Sequence, residues 1–271
     1  MSDQLPYNAK NRLIGNSEII KILNDYGVTQ KYNDLSLYRK SFIHKSYCTR
    51  KNENFIDGNL NCPAGSLPLQ EESNERLEFL GDSILGMVIA DYLYERYPDE
   101  NEGFLTKMRS KIVNGKMLAS LSAKIGFDKW ILISSQIEEN EGRKNSNIIE
   151  DCFEAFIAAV YLDFGKDGFE MAQTWIIGVV EEYIDFSELI KQNHNYKDLL
   201  LKYFQQNFGY SPRFYEMGIE TNPINNAKIY TMCVKDDKNN VLSIGKGGNK
   251  KDAENDSARL ALNKHTKEYN L

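Results

Sequence analysis

The sequence predicts an α+β protein in two parts, an all-α domain over residues 1–188 and a smaller α-β-β-β-α domain over residues 195–268. The 271 residues, 41% hydrophobic and 27% charged, suffice for one or two folded domains of roughly 100–200 residues each. Apolar residues recur at helical spacing through the first part, whereas strand-like runs occur only in the last part. The net charge also differs between the two parts. Residues 195–271 carry 12 Lys and Arg against 9 Asp and Glu, net +3, and residues 1–194 carry 21 against 30, net −9.

The all-α domain is predicted from a succession of helical patterns. Residues 16–47 show an apolar face in two segments, and residues 48–73, rich in Asn, Gly, Pro and Glu, predict a long loop insertion. Helical spacing resumes at Asn74 and ends near Tyr97, where Pro98 and the acidic residues 99–103 stop it. Further helices are expected at 105–114, 116–125, 147–164 and 166–184, with a polar loop at 134–147 and a polar linker at 187–195.

The spacing of apolar residues changes in the C-terminal domain, where strand-like runs appear. A predicted helix over residues 196–208 is followed by strand-like runs at 213–220, 228–235 and 241–244. Residues 236–240 predict the hairpin turn between the second and third runs. The final helix is expected from Asn249, a suitable N-cap, to about Thr266.

The sequence argues against a secreted or membrane-bound protein. Residues 1–12 contain no apolar run, and the longest uncharged apolar stretches fall far short of the ~20 residues that span a bilayer. The four cysteines are widely scattered without a C-x-x-C pair, which predicts reduced thiols rather than a zinc site or disulfides. We therefore expect an intracellular, cytoplasmic protein with no membrane contact.

The most informative feature is a set of carboxylates on two apolar helices. Glu75, Glu78 and Asp82 fall within roughly 60° of one another around the first helix. Asp151 and Glu154, three residues apart, share a face of the second. A pair of such carboxylates ~6 Å apart would repel by on the order of 3 kcal/mol at an effective dielectric near 20. A cation is therefore expected between the helices.

The residue types favour a hard divalent cation. Oxygen ligands without nearby His or Cys suit Mg²⁺ or Mn²⁺ rather than zinc. The three histidines, His44, His194 and His265, do not form the Glu-x-x-His spacing of di-iron carboxylate bundles. A divalent cation held by carboxylates indicates phosphate-ester chemistry. From spacing alone, an ordinary solvated acidic face remains the alternative.

Residues 74–85, Asn-Glu-Arg-Leu-Glu-Phe-Leu-Gly-Asp-Ser-Ile-Leu, resemble the signature motif of the ribonuclease III family. The resemblance continues in the expected order, with residues 44–47 before the signature, residues 107–114 after it, and residues 149–155 similar to the second acidic motif. It implies an all-α ribonuclease III endonuclease domain that hydrolyses double-stranded RNA with Mg²⁺, for which Mn²⁺ can substitute. The products would carry 5′-phosphate and 3′-hydroxyl ends and a short 3′ overhang.

The same resemblance implies roles for individual residues. The metal-binding carboxylates would be Glu78, Asp82, Asp151 and Glu154, of which Asp82 and Glu154 would be the most critical catalytic residues. Glu75 would be a supporting acidic residue. Two positions depart from the family pattern. Phe104 stands where an acidic residue is usual, and Glu150 replaces the usual Gly before the second acidic motif.

Phe79 favours a homodimer. It lies about 40° from Glu75 on the acidic side of the helix rather than on the core-facing stripe, and an apolar ring there requires a partner surface. In the family the matching aromatic side chain inserts into the other subunit. Packing of Phe79 within its own domain is the alternative.

The C-terminal pattern resembles a double-stranded-RNA-binding domain, and residues 245–254 are similar to its third contact region. Lys250 and Lys251 would bind phosphate together with the backbone N–H groups of the helix start, so that the duplex is recognised by its A-form shape. Asn249 is a further candidate for RNA contact, and Lys228, Asn226 and Lys197 are weaker candidates. Residues 222–228 lack the usual His and form a loop one residue longer, and Leu201 and Lys202 replace a common polar pair.

We therefore expect an endoribonuclease that cleaves double-stranded RNA by metal-assisted phosphodiester hydrolysis. The alternative is a non-cleaving double-stranded-RNA-binding or scaffold protein. The full set of four carboxylates argues against that alternative, because a protein that only binds RNA has no use for a self-repelling cluster.

Overall fold

A computed structural model describes residues 6–49, 62–191, 196–221 and 227–265. The chain separates into two units, residues 1–189 and residues 190–271, and each is considered by itself. Across the described ranges, none of the helices combines the length and the apolar character needed to cross a membrane.

The first unit is built from helices, as the sequence predicts. They are α1 (Asn16–Asp25), α2 (Leu35–Lys40), α3 (Glu75–Arg96), α4 (Glu102–Ile112), α5 (Gly115–Ile125), α6 (Ser135–Glu139), α7 (Ser146–Asp163), α8 (Gly168–Tyr183) and α9 (Phe186–Lys191). Short 3₁₀ turns at Lys45–Tyr47, Phe127–Lys129, Gly142–Lys144 and Gly165–Asp167 lie between them.

Helix α7 lies at the centre of this unit. Its Phe153 and Phe156 are fully buried and pack with Phe127 and with Trp175 of α8, with ring centroids 5.0–6.5 Å apart. Large buried aromatic rings dominate the packing energy of a core, so this cluster fixes the rotation of α7 about its axis. The acidic residues of α7 are thereby held on a defined edge.

The second unit has the predicted α-β-β-β-α order. It contains α10 (Tyr196–Phe208), β1 (Arg213–Thr221), β2 (Lys228–Lys235), β3 (Val241–Gly247) and α11 (Lys250–His265), with the strands antiparallel in the order β1-β2-β3. The two helices and β2 share a core in which Phe204, Val234 and Leu262 are buried. In the predicted hairpin turn, the backbone N–H of Asp236 donates to the carbonyl of Asn240 at 3.0 Å.

The prediction of a polar loop at 134–147 was wrong, because this segment contains α6 and a 3₁₀ turn. The Ser134 hydroxyl caps α6 by accepting a hydrogen bond from the Ile137 N–H at 3.4 Å. Arg143 then fixes the turn, donating to Glu138 at 2.7 Å and to the Asp128 carbonyl at 2.9 Å. Five helical residues show too little periodicity to be recognised, so their structure depends on these polar contacts.

The linker predicted at 187–195 is likewise helical where it is described. The Asp185 carboxylate accepts hydrogen bonds from the N–H groups of Ser187 and Glu188 at 2.9 and 3.2 Å and so starts α9. Phe186 and Leu189 are buried, which ties this helix to the first unit. Residues 192–195 lie outside the described ranges.

The predicted insertion at 48–73 falls partly outside the described residues, which omit 50–61. Its described end is packed, since Leu69 is buried and Gln70 forms a strand-like bridge with Cys48. The Gln70 N–H donates to the Tyr47 carbonyl at 3.0 Å, and the Thr49 N–H donates to the Gln70 carbonyl at 2.8 Å. The end of this segment near Leu69 and Gln70 is therefore packed against the domain rather than forming a free loop.

Helix α3 ends at Arg96, just before Pro98 and the acidic residues, as predicted. Of those acidic residues, Glu102 already lies in the first turn of α4. The Asn101 side chain accepts a hydrogen bond from the Phe104 N–H at 3.0 Å and supplies the N-cap. Carboxylates in a first helical turn are favoured by the helix dipole, which explains why this acidic segment starts a helix.

Candidate active site

The two acidic helices touch at Gly81. A Cβ atom at this position would lie 1.8 Å from the carbonyl oxygen of Glu154 and 3.2 Å from its Cα, so only glycine allows α3 to approach α7 this closely. The start of α3 is fixed by Asn74, which is buried and donates from its side chain to the Ser41 carbonyl at 3.1 Å. Glu78 and Asp82 therefore stand at the crossing point with α7.

The carboxylates of α7 at this site are buried or partly buried and repel one another. Glu154 is 7% exposed, and burial, followed by the charges of Asp82 and Glu150, raises its pKa to about 8. Burial, followed by Glu78 and Glu150, raises the pKa of Asp151 to about 6. Within the described ranges, no hydrogen bond or ion pair reaches the Glu154 carboxylate. Its neighbours are thus other acids rather than donors that would stabilise its charge.

Glu78 and Glu150 belong to the same electrostatic cluster. Burial and then Glu75 raise the pKa of Glu78, and Asp82 adds to this while Lys45 opposes it. Burial and then the charges of Glu78 and Asp82 raise the pKa of Glu150. Sequence reasoning gave Glu150 no role and noted only that it replaces a usual Gly. The structure shows a fifth carboxylate facing the predicted ligands.

Space for Glu150 is provided by Gly115, the first residue of α5. A Cβ at Gly115 would lie 2.2 Å from Oε2 of Glu150 and 2.7 Å from its Oε1. The Glu150 carboxylate therefore rests against the start of α5, where the helix dipole favours a negative charge.

Glu75, which also acts on Glu78, differs from the other carboxylates in having its own ion pair. Its carboxylate accepts hydrogen bonds from Lys45 Nζ at 3.0 Å and from the Ser73 hydroxyl at 3.1 Å, and these hold its pKa below the usual range. The supporting role predicted for Glu75 is consistent with this pairing. Lys45 also opposes the upward pKa shifts of Glu78 and Asp151. Sequence reasoning did not assign this electrostatic contribution to Lys45.

The donor set fits a hard divalent cation. Glu78, Asp82, Asp151 and Glu154 offer only oxygen ligands, which Mg²⁺ and Mn²⁺ prefer, and Glu154 is a buried carboxylate without a donor partner. In the described part of the chain, no three His, Cys, Asp or Glu side chains converge closely enough to hold an ion as they stand. The fit therefore rests on the donor chemistry and on the mutual repulsion of the carboxylates. Their roles as ligands stay predictions.

Phe79 projects away from the core of its own unit. Its side chain is 78% exposed, which contradicts the alternative that it packs within its own domain. Met87 and Tyr94, also on α3, are 62% and 71% exposed and lie within about 80° of Phe79 around the helix. The three residues, Phe79, Met87 and Tyr94, form an exposed apolar stripe.

The predicted RNA-contact residues of the second unit lie mainly around the start of α11. Asn249 caps this helix by accepting a hydrogen bond from the Asp252 N–H at 2.9 Å, which confirms the predicted N-cap. Lys251 and Lys228 are exposed. Asn226 lies outside the described residues.

Two of the candidate lysines are engaged in ion pairs. Lys250 lies 2.7 Å from a carboxylate oxygen of Glu216 on β1, and Lys197 lies 2.6 Å from one of Glu254 on α11. Sequence reasoning did not foresee either pairing.

Comparison with known proteins gives two matches to family models. Residues 34–181 match a model described as ribonuclease-III-like, and residues 196–265 match the double-stranded RNA binding motif. Ribonuclease 3 of Borreliella afzelii (strain PKo) is 34% identical over 231 residues, 85% of each chain. The protein of Acanthamoeba polyphaga mimivirus named "Probable ribonuclease 3" is 33% identical over 252 residues, which cover 92% of this chain but 45% of the mimivirus protein. The nuclease domain of ribonuclease III from Campylobacter jejuni is a solved structure with 29% identity. The match covers 63% of this chain and 99% of that domain, with a TM-score of 0.49.

Proposed function

The chain belongs to the ribonuclease III family, and on this premise we propose that it cleaves double-stranded RNA by divalent-metal-assisted hydrolysis of phosphodiester bonds. The observation that carries the proposal is the contact of Gly81 with the backbone of Glu154, which brings the two helices that carry the carboxylate pairs into direct contact. We assign residues 1–188 to the endonuclease domain and residues 195–268 to the RNA-binding domain. The products would carry 5′-phosphate and 3′-hydroxyl ends.

Dependence on a divalent metal is general in this family, and Mg²⁺ is the ion we propose here. It would be held by Glu78, Asp82, Asp151 and Glu154, with Mn²⁺ able to substitute. A bound ion of this kind supplies an activated water for attack on phosphorus and stabilises the charge of the leaving oxygen.

The residues of this chain prepare the site for that ion. Asp151 and Glu154, whose pKa values are raised to about 6 and about 8, must lose their protons before they can serve as ligands, so loading should increase with pH. Lys45 holds Glu75 aside at 3.0 Å and offsets part of the negative potential that a phosphate would meet on its approach.

RNA binding follows from the second domain and its exposed lysines. Lys250 and Lys251, in the first turn of the N-capped helix α11, would contact backbone phosphate together with the free N–H groups of that turn. Lys228 is exposed at the start of β2 and is a further candidate. Asn249 is a candidate at the same helix start, and Asn226 and Lys197 remain weaker candidates.

We also propose that the protein acts as a homodimer through the exposed stripe of Phe79, Met87 and Tyr94. Single exposed apolar residues are common on monomers, but three large ones on the same side of one helix favour a partner surface. A cytoplasmic location remains a prediction from the sequence, supported by its scattered free cysteines.

The decisive experiment compares wild type with Asp82→Asn on long duplex RNA in the presence of Mg²⁺. Glu95→Gln is a matched control, because it removes an exposed carboxylate from the far end of the same helix. Wild type and Glu95→Gln should cut the duplex, whereas Asp82→Asn should bind but leave it intact. If wild type cuts no better than Asp82→Asn while both bind duplex RNA, the chain is the non-cleaving binding protein of the alternative.

The ends of the products test the chemistry. A 5′-phosphate blocks labelling by polynucleotide kinase until a phosphatase has removed it. Fragments that accept label without phosphatase treatment would contradict the proposed hydrolysis.

A further inference from the structure

The predicted RNA-facing edge of the second unit contains carboxylates as well as lysines. The ammonium group of Lys250 lies 2.7 Å from Oε2 of Glu216, and that of Lys197 lies 2.6 Å from Oε2 of Glu254. Glu254 follows Lys250 by one helical turn and also acts on its charge. These four residues form a net-neutral charge cluster.

Lys197 is held in a defined position by further contacts. Lys197 lies over the Phe214 ring, 4.9 Å from its centroid, and its side chain is 37% exposed. Its backbone N–H also donates to the Asn255 side chain at 3.3 Å, which ties the start of α10 to α11. In the described part of the chain, by contrast, no ion pair of Lys228 or Lys251 is found.

A phosphate that approaches such a pair meets two obstacles. The lysine must exchange a carboxylate for the phosphate, and the displaced carboxylate stays nearby as a like charge. Two unit charges about 6 Å apart in water repel by an energy that corresponds to about a threefold change in an equilibrium constant. The pairs therefore reduce what each lysine can contribute to binding.

We propose that Glu216 and Glu254 hold Lys250 and Lys197 in intradomain ion pairs that lower the affinity of this domain for duplex RNA. The inference rests on the proposed RNA-binding role of these lysines. The two carboxylates would then determine the affinity for the duplex. Weaker binding speeds dissociation, which suits a nuclease that must release its cut product.

The experiment measures binding of the full-length protein to a fluorescent RNA duplex of about 16 base pairs, the length that one such domain spans. EDTA prevents cleavage, and the salt concentration is varied. Glu216→Gln and Glu254→Gln should each tighten binding about threefold and the double variant about tenfold. The salt dependence of the double variant should steepen, because more phosphates are neutralised per protein.

Asp237→Asn is the matched control, since it changes the net charge equally. Asp237 lies in the turn before β3, whereas Lys250 follows the other end of that strand. The seven residues of β3 span about 23 Å, well beyond the screening length of about 10 Å at moderate salt. The affinity of Asp237→Asn for the duplex should therefore equal that of wild type. A gain as large as that of Glu254→Gln would reduce the effect to net charge and overturn the inference.

Lys197→Ala tests whether the effect of Glu254 depends on its ion pair with Lys197. Added to Glu254→Gln, it should remove most of the gain in affinity and leave only the smaller part that acts through Lys250, whereas in wild type it should weaken binding only slightly. Persistence of the full gain without Lys197 would reject the proposed pairing. Thermal melts of each variant confirm that the domain is folded. If neither wild type nor any variant prefers duplex to single-stranded RNA, the proposed RNA-binding function fails; if wild type binds and the glutamine variants gain nothing, only the inference fails.

Discussion

Replacement of Gly81 by alanine should inactivate the enzyme without touching a charged residue. The added Cβ would lie 1.8 Å from the carbonyl oxygen of Glu154 and 2.5 Å from its carbonyl carbon. Both are backbone atoms of a buried helix and cannot swing away. Because ordinary contact requires about 3.4 Å, α3 and α7 would have to separate by roughly 1.5 Å.

Two effects follow from this separation, and each has an expected size. Strain in a well-packed core should lower the free energy of unfolding by about 1–3 kcal/mol. A shift of about 1 Å in the relative position of catalytic groups can lower the rate on the order of 100-fold. Asp82 and Glu154 lie on opposite sides of the forced gap, so the loss should appear mainly in the cleavage rate.

Gly86→Ala is the matched control on the same helix. No atom lies within 4 Å of the position that its Cβ would occupy. The substitution should leave the cleavage rate unchanged and stabilise the helix by about 0.5–1 kcal/mol, since alanine is the better helix former. Single-turnover cleavage of duplex RNA gives the rates, and urea denaturation gives the stabilities at the same temperature.

The reasoning would be refuted by a Gly81→Ala protein that is folded and cuts at the wild-type rate. Equal losses of activity in the two variants would also refute it, because the effect would then come from helix α3 in general. Binding of Mn²⁺, followed by electron paramagnetic resonance, provides a readout independent of turnover and should weaken only in Gly81→Ala.

Three further predictions use other parts of the first unit. Because the pKa of Glu154 is raised to about 8 and that of Asp151 to about 6, the folded metal-free protein keeps protons that the unfolded chain releases at lower pH. The free energy of unfolding in EDTA should therefore fall as the pH rises from about 5 to about 8; a flat profile in urea titrations would contradict this, and Glu154→Gln should remove most of the slope. Asp163 accepts hydrogen bonds from the N–H groups of Asn33 and Asp34 at 2.9 and 2.6 Å, so Asp163→Ala should lower the free energy of unfolding by about 3 kcal/mol, whereas the exposed Asp167→Ala should not. Phe79 is 78% exposed, so Phe79→Ala should convert the proposed dimer to monomer in light-scattering chromatography. It should change the stability of the monomer by less than about 0.5 kcal/mol. The exposed control Ile20→Ala should leave dimerisation unchanged, and the same result for Phe79→Ala would count against the proposed interface.

The long elements could be predicted because their burial is periodic. Helix α3 was expected from Asn74 to Tyr97 and is observed from Glu75 to Arg96, with Leu77, Leu85 and Val88 buried on one side. The short helices α6 and α9 have only five and six residues, too few for a periodic signal. They depend on polar groups such as Ser134 and Asp185, whose importance becomes visible only in three dimensions.

The site was predictable within each helix but not between helices. Spacing alone placed Glu78 beside Asp82, and Asp151 beside Glu154. The pair of Lys45 with Glu75 joins residues 30 apart, and that of Lys197 with Glu254 joins residues 57 apart. Local periodicity carries no information about such contacts. For the same reason, Gly81 could be read from the motif but not recognised as the point where the two helices touch.

The two departures from the family pattern take on physical meaning together. Phe104, where an acidic residue is usual, packs against Tyr97 with ring centroids 5.2 Å apart, so that position serves a small apolar contact in this chain. Glu150 adds a carboxylate that faces Glu78 and Asp82, and Gly115 leaves the space for it. In this chain an acidic group is therefore absent at that position of α4 and an additional one is present on α7. Because the Glu150 carboxylate is partly buried and repelled by its neighbours, we expect it to destabilise the metal-free site and to strengthen the attraction for a divalent cation. Glu150 should therefore tighten the coupling between cation binding and the stability of the nuclease domain.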